Sequence, residues 1–486
     1  QIKFISHFMS VRGTIWIPRW ENNGQMSLRS HLCNRHITSS LQTLSFVLLA
    51  LICSSQPLDP LMANSPFTAM WNAPTELCET RYEVTLDLRP FEIIGSPMKS
   101  ARGQNLTIFY HDRLGYYPYY DEITGQSFNG GLPQMAPQSR HYSKTVEDIE
   151  YYIPSDETPG IAVIDWENWR PQWVRNWSLK TIYRRKSIEL VKQRDPSLTT
   201  DHVKIRAIAE FEDQAKSFML NTLRLGKILR PNCLWGYFLY PDCYNYKVLT
   251  KNYTGRCFAI EISRNDELFW LWKESTALFP SIYLHRMQSS AVAAKFVRHR
   301  VQEAKRAAAL SGREYSLPVY VYTRPVFTTR PDKYLSEVDL VHTIGESAAL
   351  GTAGFAVWGD LDLSKSLHSC VTLADYLTNL LNPYVINVTL AAKLCSRIVC
   401  RNKGRCVRKN WDSGYYLHLN PENFRISSKK EGITVKGQAS FEDILFMSER
   451  FTCQCYPGQT CEPIRNIENH IMEHNTCINS TNCNKF

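Results

Sequence analysis

Two carboxyl side chains one residue apart, Asp165 and Glu167, stand in the run GIAVIDWENWRPQWVRN from Gly160 to Asn176. Ile161 to Ile164 is an apolar run too short for a helix and rich in β-branched residues, so it reads as a buried strand. Side chains alternate along a strand, which turns Asp165 and Glu167 to one side and Trp166 to the other, with α-carbons roughly 6.5–7 Å apart. Two acids this close do not both ionise cheaply, and one keeps its proton near neutral pH. A held proton beside a carboxylate suits the cleavage of a glycosidic bond. Trp166, Trp169, Trp173 and Trp177 crowd the acids with faces on which sugar rings can pack. The plainer alternative has Asp165 capping the next segment and Glu167 paired with Arg170 at the surface.

The acids need a scaffold that brings strand ends together. From about Ser65 to Asn387 short apolar runs alternate with helical patterns, which argues for βα units around a parallel sheet. Strands are expected at Leu106–Tyr110, Ile161–Ile164, Leu234–Tyr240, Ser281–Leu284, Pro318–Tyr322 and Gly354–Trp358. Apolar residues at Val203, Ile205, Ile208, Phe211, Ala215, Phe218, Met219 and Leu223 follow the helical period. Thr199, Thr200 or Asp201 could cap that helix, and Pro231 ends it. Further helices are expected over 290–310 and 336–350. A (β/α) barrel carries its chemistry at the carboxyl ends of its strands, and those ends are aromatic or acidic here: Tyr110, Asp165 with Glu167, Phe238 and Tyr240, Tyr283, Tyr322 and Trp358.

The 486 residues are 44% hydrophobic and 12% aromatic, enough for a large core. The formal charge of +10 favours an acidic partner. No run of five basic residues occurs, so a polyanionic sugar suits it better than nucleic acid. Fifteen cysteines crowd towards the C-terminus, and N-x-S/T acceptors stand at Asn105, Asn176, Asn252, Asn387 and Asn479. Together they point to an oxidising, secretory setting. With no H-E-x-x-H and no pair of C-x-x-C motifs, neither a metal nor another cofactor is expected. Residues 1–25 read as an upstream or non-native extension. Residues 26–55 read as a signal peptide, with Leu44 to Cys53 as its apolar core, against the alternative of a short buried helix. The chain is expected to hold no transmembrane segment and, lacking an apolar tail, no anchor signal. Cys395, Cys400 and Cys406, followed by Cys453, Cys455 and Cys461, read as a disulfide-stapled module of the epidermal-growth-factor type, with residues 407–452 as an insert. The expected division is 65–390 for the catalytic domain and 391–486 for the module and tail.

The segment IDWENWRPQWVRNW resembles the signature of the animal hyaluronidases. WNAP at Trp71–Pro74, LGYYPYY at Leu114–Tyr120 and YLHLNPENF at Tyr416–Phe424 bring the chain nearest the sperm-surface type. The resemblance implies an irregular TIM-like barrel, a monomer outside the cell or on the sperm surface or acrosome, and endo-hydrolysis of hyaluronan, with chondroitin a second candidate. It implies disulfides Cys78–Cys370, Cys243–Cys257, Cys395–Cys406, Cys400–Cys453 and Cys455–Cys461. It casts Glu167 as proton donor and Asp165 as the residue orienting the substrate's acetamido group, whose oxygen attacks the anomeric carbon. Tyr283 would bind that group, Trp358 close its pocket, and Asn72 and Tyr110 line the cleft, where Tyr322 is expected to join them as a strand-end aromatic. Arg300 would face the substrate's carboxylates with Glu303 one turn on. Without the resemblance, the two read as an i,i+3 pair on a solvated helix.

One position departs from the pattern. Phe238 stands where the family has a tyrosine, so a transition-state hydrogen bond is lost. Cys233 is an odd thiol. A silent hyaluronan-binding or cell-adhesion protein is therefore the competing expectation.

Overall fold

In the computed structural model the described residues are 14–20, 26–32 and 59–461, less 286–288 and 430–431. Thr14–Trp20 pairs antiparallel with Met26–Leu32, at the start of the expected signal peptide. The apolar core of that peptide, and Asn479, lie outside the described residues.

Seven strands carry the α/β body: β1 (Thr68–Asn72), β2 (Ile93–Gly95), β3 (Leu106–Tyr110), β4 (Gly160–Asp165), β5 (Cys233–Tyr237), β6 (Tyr320–Thr323) and β7 (Gly354–Trp358). They form two parallel sheets, ordered β3-β4-β5 and β6-β7-β1-β2. Parallel bridges Phe238 to Phe279, Leu278 to Val319 and Ser281 to Tyr322 link the end of β5 to β6. Of the strand expected at Ser281–Leu284 only the Ser281 bridge remains, next to Pro280, which has no N–H for a ladder. At the far side β2 meets β3 so closely that a Cβ on Gly95 would lie 2.6 Å from the Leu106 carbonyl oxygen, and only glycine fits there.

Alternation along these strands divides the core in two. Met70, Ile108, Val163, Leu234, Phe238, Phe279, Tyr322 and Ala356 pack together on the inner face. Trp71, Phe109, Ile164, Trp235, Tyr237, Val321 and Val357 face the helices. Of those, α1 (Gln138–Tyr152), α2 (Thr181–Arg194), α3 (Thr200–Leu229) and α4 (Ser290–Ala309) are the longest before the C-terminal region. Thr199 is the cap of α3, its side chain accepting from His202 N, and Val203, Phe211, Phe218 and Leu223 form its buried face. The helix expected over 336–350 is broken into α5 (Glu337–Leu340), a π-helical turn (Val341–Gly345) and α6 (Glu346–Ala349).

A division at 390/391 falls inside α7 (Asn382–Cys400), which runs unbroken from the body into the C-terminal region. There β8 (Gly404–Arg408) pairs antiparallel with β11 (Phe451–Cys455). Between them lie the hairpin of β9 (Phe424–Lys429) and β10 (Gly432–Gly437) and then α8 (Phe441–Arg450), whose start is closed by a Ser440–Asp443 capping box. Disulfides among the described residues are Cys78–Cys370, Cys243–Cys257, Cys395–Cys406, Cys400–Cys453 and Cys455–Cys461. A buried charge cluster ties this region to the body. Glu346 on α6 is fully buried and accepts from Arg298 of α4 at 2.7 Å and from Arg408 of β8. Arg298 also reaches Asp412 at 2.7 Å.

Candidate active site

Parallel register decides which strand ends meet. Tyr110 pairs with Asp165 across β3 and β4, Asn72 with Trp358 across β1 and β7, and Ser281 with Tyr322. Residues at matching positions of parallel neighbours point the same way, so Asn72, Tyr110, Asp165, Tyr322 and Trp358 converge at one end of the sheets. Trp358 Nε1 donates to the Tyr110 hydroxyl at 2.9 Å, and its ring stacks on Tyr283 with centroids 6.1 Å apart. Phe238 closes the group, edge-on to Tyr322 at 5.2 Å and 6.1 Å from Tyr283. Arg324 lies over Trp358 and is anchored at 2.6 Å by Asp360.

The two acids sit in unlike surroundings. Asp165 ends β4 with Oδ1 buried and without a hydrogen-bond partner. Burial first, and the Glu167 carboxylate second, push its carboxyl well above its ordinary value of 3.8, while Arg170 opposes them. Glu167 is half exposed, and its Oε2 lies 3.0 Å from Arg170 Nη2. Arg170 is itself buried, which works against its charge, but Tyr240 and Glu167 more than offset this and hold the guanidinium protonated. The pairing of Glu167 with Arg170, expected at the surface, is present with the arginine buried. Of the two acids, Asp165 is the one whose surroundings favour the protonated form.

An acid whose folded pKa is raised adds stability in full only below its unfolded value and loses it as pH rises through the folded one. Asp165→Asn, uncharged and of equal size, is therefore expected to melt above the parent at neutral pH, with the gap closing as pH falls towards 3.8. Thermal melts across that range check this. A gap of constant size would show that titration of Asp165 is not its source.

Other unpartnered polar atoms point to the same place. The Tyr322 hydroxyl and both side-chain polar atoms of Asn72 are buried with no partner among the described residues. Buried polar groups are nearly always hydrogen-bonded, so orphans gathered at strand ends mark where a ligand's polar atoms would go. No group of three or more metal-ligating side chains occurs among the described residues.

Several expected site residues lie elsewhere. Arg300 is 2% exposed and its guanidinium is taken up by Asp242 at 2.9 Å, Asn245 at 3.3 Å and the Ser281 carbonyl, so it has no free face for a substrate carboxylate. Glu303 is likewise buried, accepting from Asn265 at 2.8 Å and from Arg306 at 2.8 Å. The pair sits on α4 as expected, but towards the interior. Of the four tryptophans expected to offer sugar faces, Trp166, Trp169 and Trp173 belong to the core beneath the helices, and Trp177 alone is exposed. Asn176 is fully buried, donating to the Arg170 and Gln172 carbonyls and accepting from Arg170 N, which leaves no room for a glycan. Asn105 and Asn252 are exposed, and Asn387 is half buried with Oδ1 accepting from Leu419 N. Cys233 is a buried free thiol whose pKa burial pushes up to about 11. Tyr237 turns away from the cluster and donates to the Met219 carbonyl at 2.9 Å. Arg170 was legible only as a surface partner. Its buried guanidinium between Tyr240 and Glu167 needed the fold.

Comparison with known proteins adds an independent line. A family model described as hyaluronidase matches residues 56–466. The chain is 50% identical over 404 residues to hyaluronidase PH-20 of Homo sapiens, covering 83% of this chain and 79% of that one. It is 52% identical over 411 residues to hyaluronidase-5 of Mus musculus, with 84% and 78% covered, and 45% identical over 435 residues to hyaluronidase-4 of Homo sapiens, with 89% and 90% covered. Among solved structures, bee venom hyaluronidase in complex with a hyaluronic acid tetramer superposes with a TM-score of 0.56 at 31% identity, covering 66% of this chain and 98% of that one.

Proposed function

Because the chain belongs to the hyaluronidase family of glycoside hydrolases, we propose that it is an endo-acting enzyme cutting hyaluronan at its β-N-acetylhexosaminide bonds, with Glu167 as general acid and then general base. The observation that carries this is the unlike pair of carboxyls at the end of β4, one with a buried, unpartnered oxygen and the other half exposed beside an arginine. In this reading the substrate's acetamido N–H donates to Asp165. That bond favours the ionised form of Asp165 and passes the pair's proton to Glu167. Glu167 gives the proton to the leaving glycosidic oxygen while the acetamido oxygen closes on the anomeric carbon. The C–O bond breaks, and an oxazolinium ion forms. Glu167, now a carboxylate, takes a proton from the water that reopens the ring, so configuration is retained. Adjacent carboxyls suit this route, since a second acid used as nucleophile would have to lie across the sugar from the first. Tyr283 and Trp358 would wall the acetyl group, with Asn72, Tyr110 and Tyr322 contacting the sugar.

The same reading makes the body an irregular (β/α) barrel. It is supported by the single inner core drawn from strand after strand and by the contact of β2 with β3. It makes the C-terminal region an epidermal-growth-factor-like module with an insert, supported by its three disulfides. A place outside the cell is supported by the disulfide content. No helix among the described residues is long and apolar enough to cross a membrane.

The test is the product. Long hyaluronan incubated with the protein should yield oligosaccharides with N-acetylglucosamine at each new reducing end, and a thiazoline mimic of the oxazolinium should inhibit. Other end groups would overturn the bond assignment, and failure of the mimic would overturn the acetamido route. Phe238 favours a second reading, a binder that keeps the cleft without turnover, for which polymer length would stay constant while binding persists. Phe238→Tyr adds a hydroxyl among Tyr283, Tyr322 and the acids. If it supplies the missing donor, kcat should rise about five- to 150-fold, equivalent to ~1–3 kcal/mol, with little change in KM. An unchanged kcat would show that the ring alone suffices.

A further inference from the structure

The side chains that hold Arg300 away from the cleft arrange something else. Asp242, its ion-pair partner, also accepts from Cys243 N at 2.7 Å and Tyr244 N at 3.1 Å, fixing the start of the loop closed by the Cys243–Cys257 disulfide. Asn245 ties the loop across itself through Gly255 O at 2.8 Å and to α4 through Phe296 O at 3.0 Å. At Gly255 the backbone is left-handed (φ +80°) against the Lys295 carbonyl, so no side chain is tolerated there. A loop so heavily pinned is built to present something. It presents Tyr244, half buried, and Tyr246, 43% exposed, with Arg300 behind Tyr246 at 4.9 Å from its ring centroid.

These rings continue a row. Trp177, 54% exposed, lies edge-on to Tyr244 at 6.1 Å; Tyr244 is perpendicular to Tyr246 at 6.1 Å; Tyr246 lies 6.5 Å from His285. Both ends of the row lie close in sequence to residues of the strand-end cluster. Trp177 is three residues from Lys180, whose ammonium donates to the Glu167 carbonyl at 2.6 Å, and His285 is two residues from Tyr283. Lys247, exposed over the Phe258 ring, has no carboxylate partner among the described residues. Exposed aromatic faces beside a cation with no carboxylate partner among the described residues suit a sugar chain that carries a carboxylate on alternate rings.

We infer that Trp177, Tyr244 and Tyr246 form a binding rim for hyaluronan sugar rings away from the bond being cut, and that Arg300 is the positioning residue that holds this rim. The inference rests on the proposed function and extends the same cleft. It reassigns Arg300 from the substrate's carboxylate to the loop.

The test uses Glu167→Gln protein, which should bind without cutting, titrated with hyaluronan oligosaccharides from tetra- to decasaccharide. Trp177→Ala is an exposed change, and its melting temperature should match the parent; Tyr246→Ala also removes the ring over Arg300, so Tyr246→Phe is its folded control. Each is expected to weaken binding of the longer oligosaccharides by roughly three- to tenfold while tetrasaccharide affinity holds, and Tyr246→Phe should restore it. Arg300→Lys should give the same length-dependent loss, because one ammonium cannot serve Asp242, Asn245 and Ser281 together. Equal affinity at every length in the alanine variants, or an equal loss at every length, overturns the rim. If the parent neither binds nor cuts hyaluronan, the proposed function falls and the rim with it. A parent that cuts hyaluronan while the alanine variants bind like their background overturns the rim alone.

Discussion

Glu167→Gln is expected to lower kcat/KM on long hyaluronan by about three orders of magnitude while the protein stays folded. General acid catalysis contributes on the order of 10²–10⁴ in rate, and an amide cannot supply the proton. The fold should not register the change, since Glu167 is half exposed, its carboxylate meets Arg170 in one 3.0 Å pair that the glutamine oxygen can still make, and its backbone carbonyl keeps the second bond from Arg170 at 2.7 Å. Asp165 is a poor substitute, because its Oδ1 is buried at the end of β4. The residual rate then measures what positioning by Tyr283, Trp358 and Asn72 provides without the acid. Reducing-end release, with a thermal melt beside it, checks both halves. Activity within tenfold of the parent would remove Glu167 from the role of donor and leave the proton-holding Asp165 as the remaining candidate.

Those two acids were legible because they sit at the end of an apolar run whose period fixes their direction. β3, β4 and β7 were legible for the same reason, and α3 because its apolar residues keep the helical period over 30 residues. What escaped depends on partners far away in the chain. Nothing near Arg300 announces that Asp242, 58 positions earlier, will claim its guanidinium, so its place on a helix reads equally well as outward or inward. Asn176 carries a sequon, but a sequon says nothing of burial, and the turn after β4 consumes its amide. The tryptophans at 166, 169 and 173 read as a binding surface because aromatic residues serve both cores and sugars. Only the packing of α3 over them, with Phe211 and Phe218 against their rings, decides for the core. The body was legible wherever the signal was periodic, and the site wherever its residues lie at the end of a strand, as Tyr110, Asp165, Tyr322 and Trp358 do.

Glu346→Ala is expected to be the most destabilising single change outside the site, by about 3–5 kcal/mol, because it leaves the buried Arg298 and Arg408 facing each other without a counter-charge. The loss should not stay local. Arg298 is on α4 two residues before Arg300, so loosening that helix against β8 also loosens the support of the 242–257 loop. Activity on long hyaluronan should therefore fall at temperatures where helical circular dichroism is still native, which plain destabilisation of a two-state fold would not produce. The charge, rather than the volume, can be isolated. Glu346→Leu combined with Arg298→Met and Arg408→Met replaces the cluster with apolar side chains of similar reach, and a buried ion triad exchanged in this way is often neutral or stabilising. Denaturant midpoints should drop for Glu346→Ala and recover in the triple variant. If the triple variant is as weak as the single one, packing of the region around α6 and β8, rather than its charge balance, holds the C-terminal region to the body.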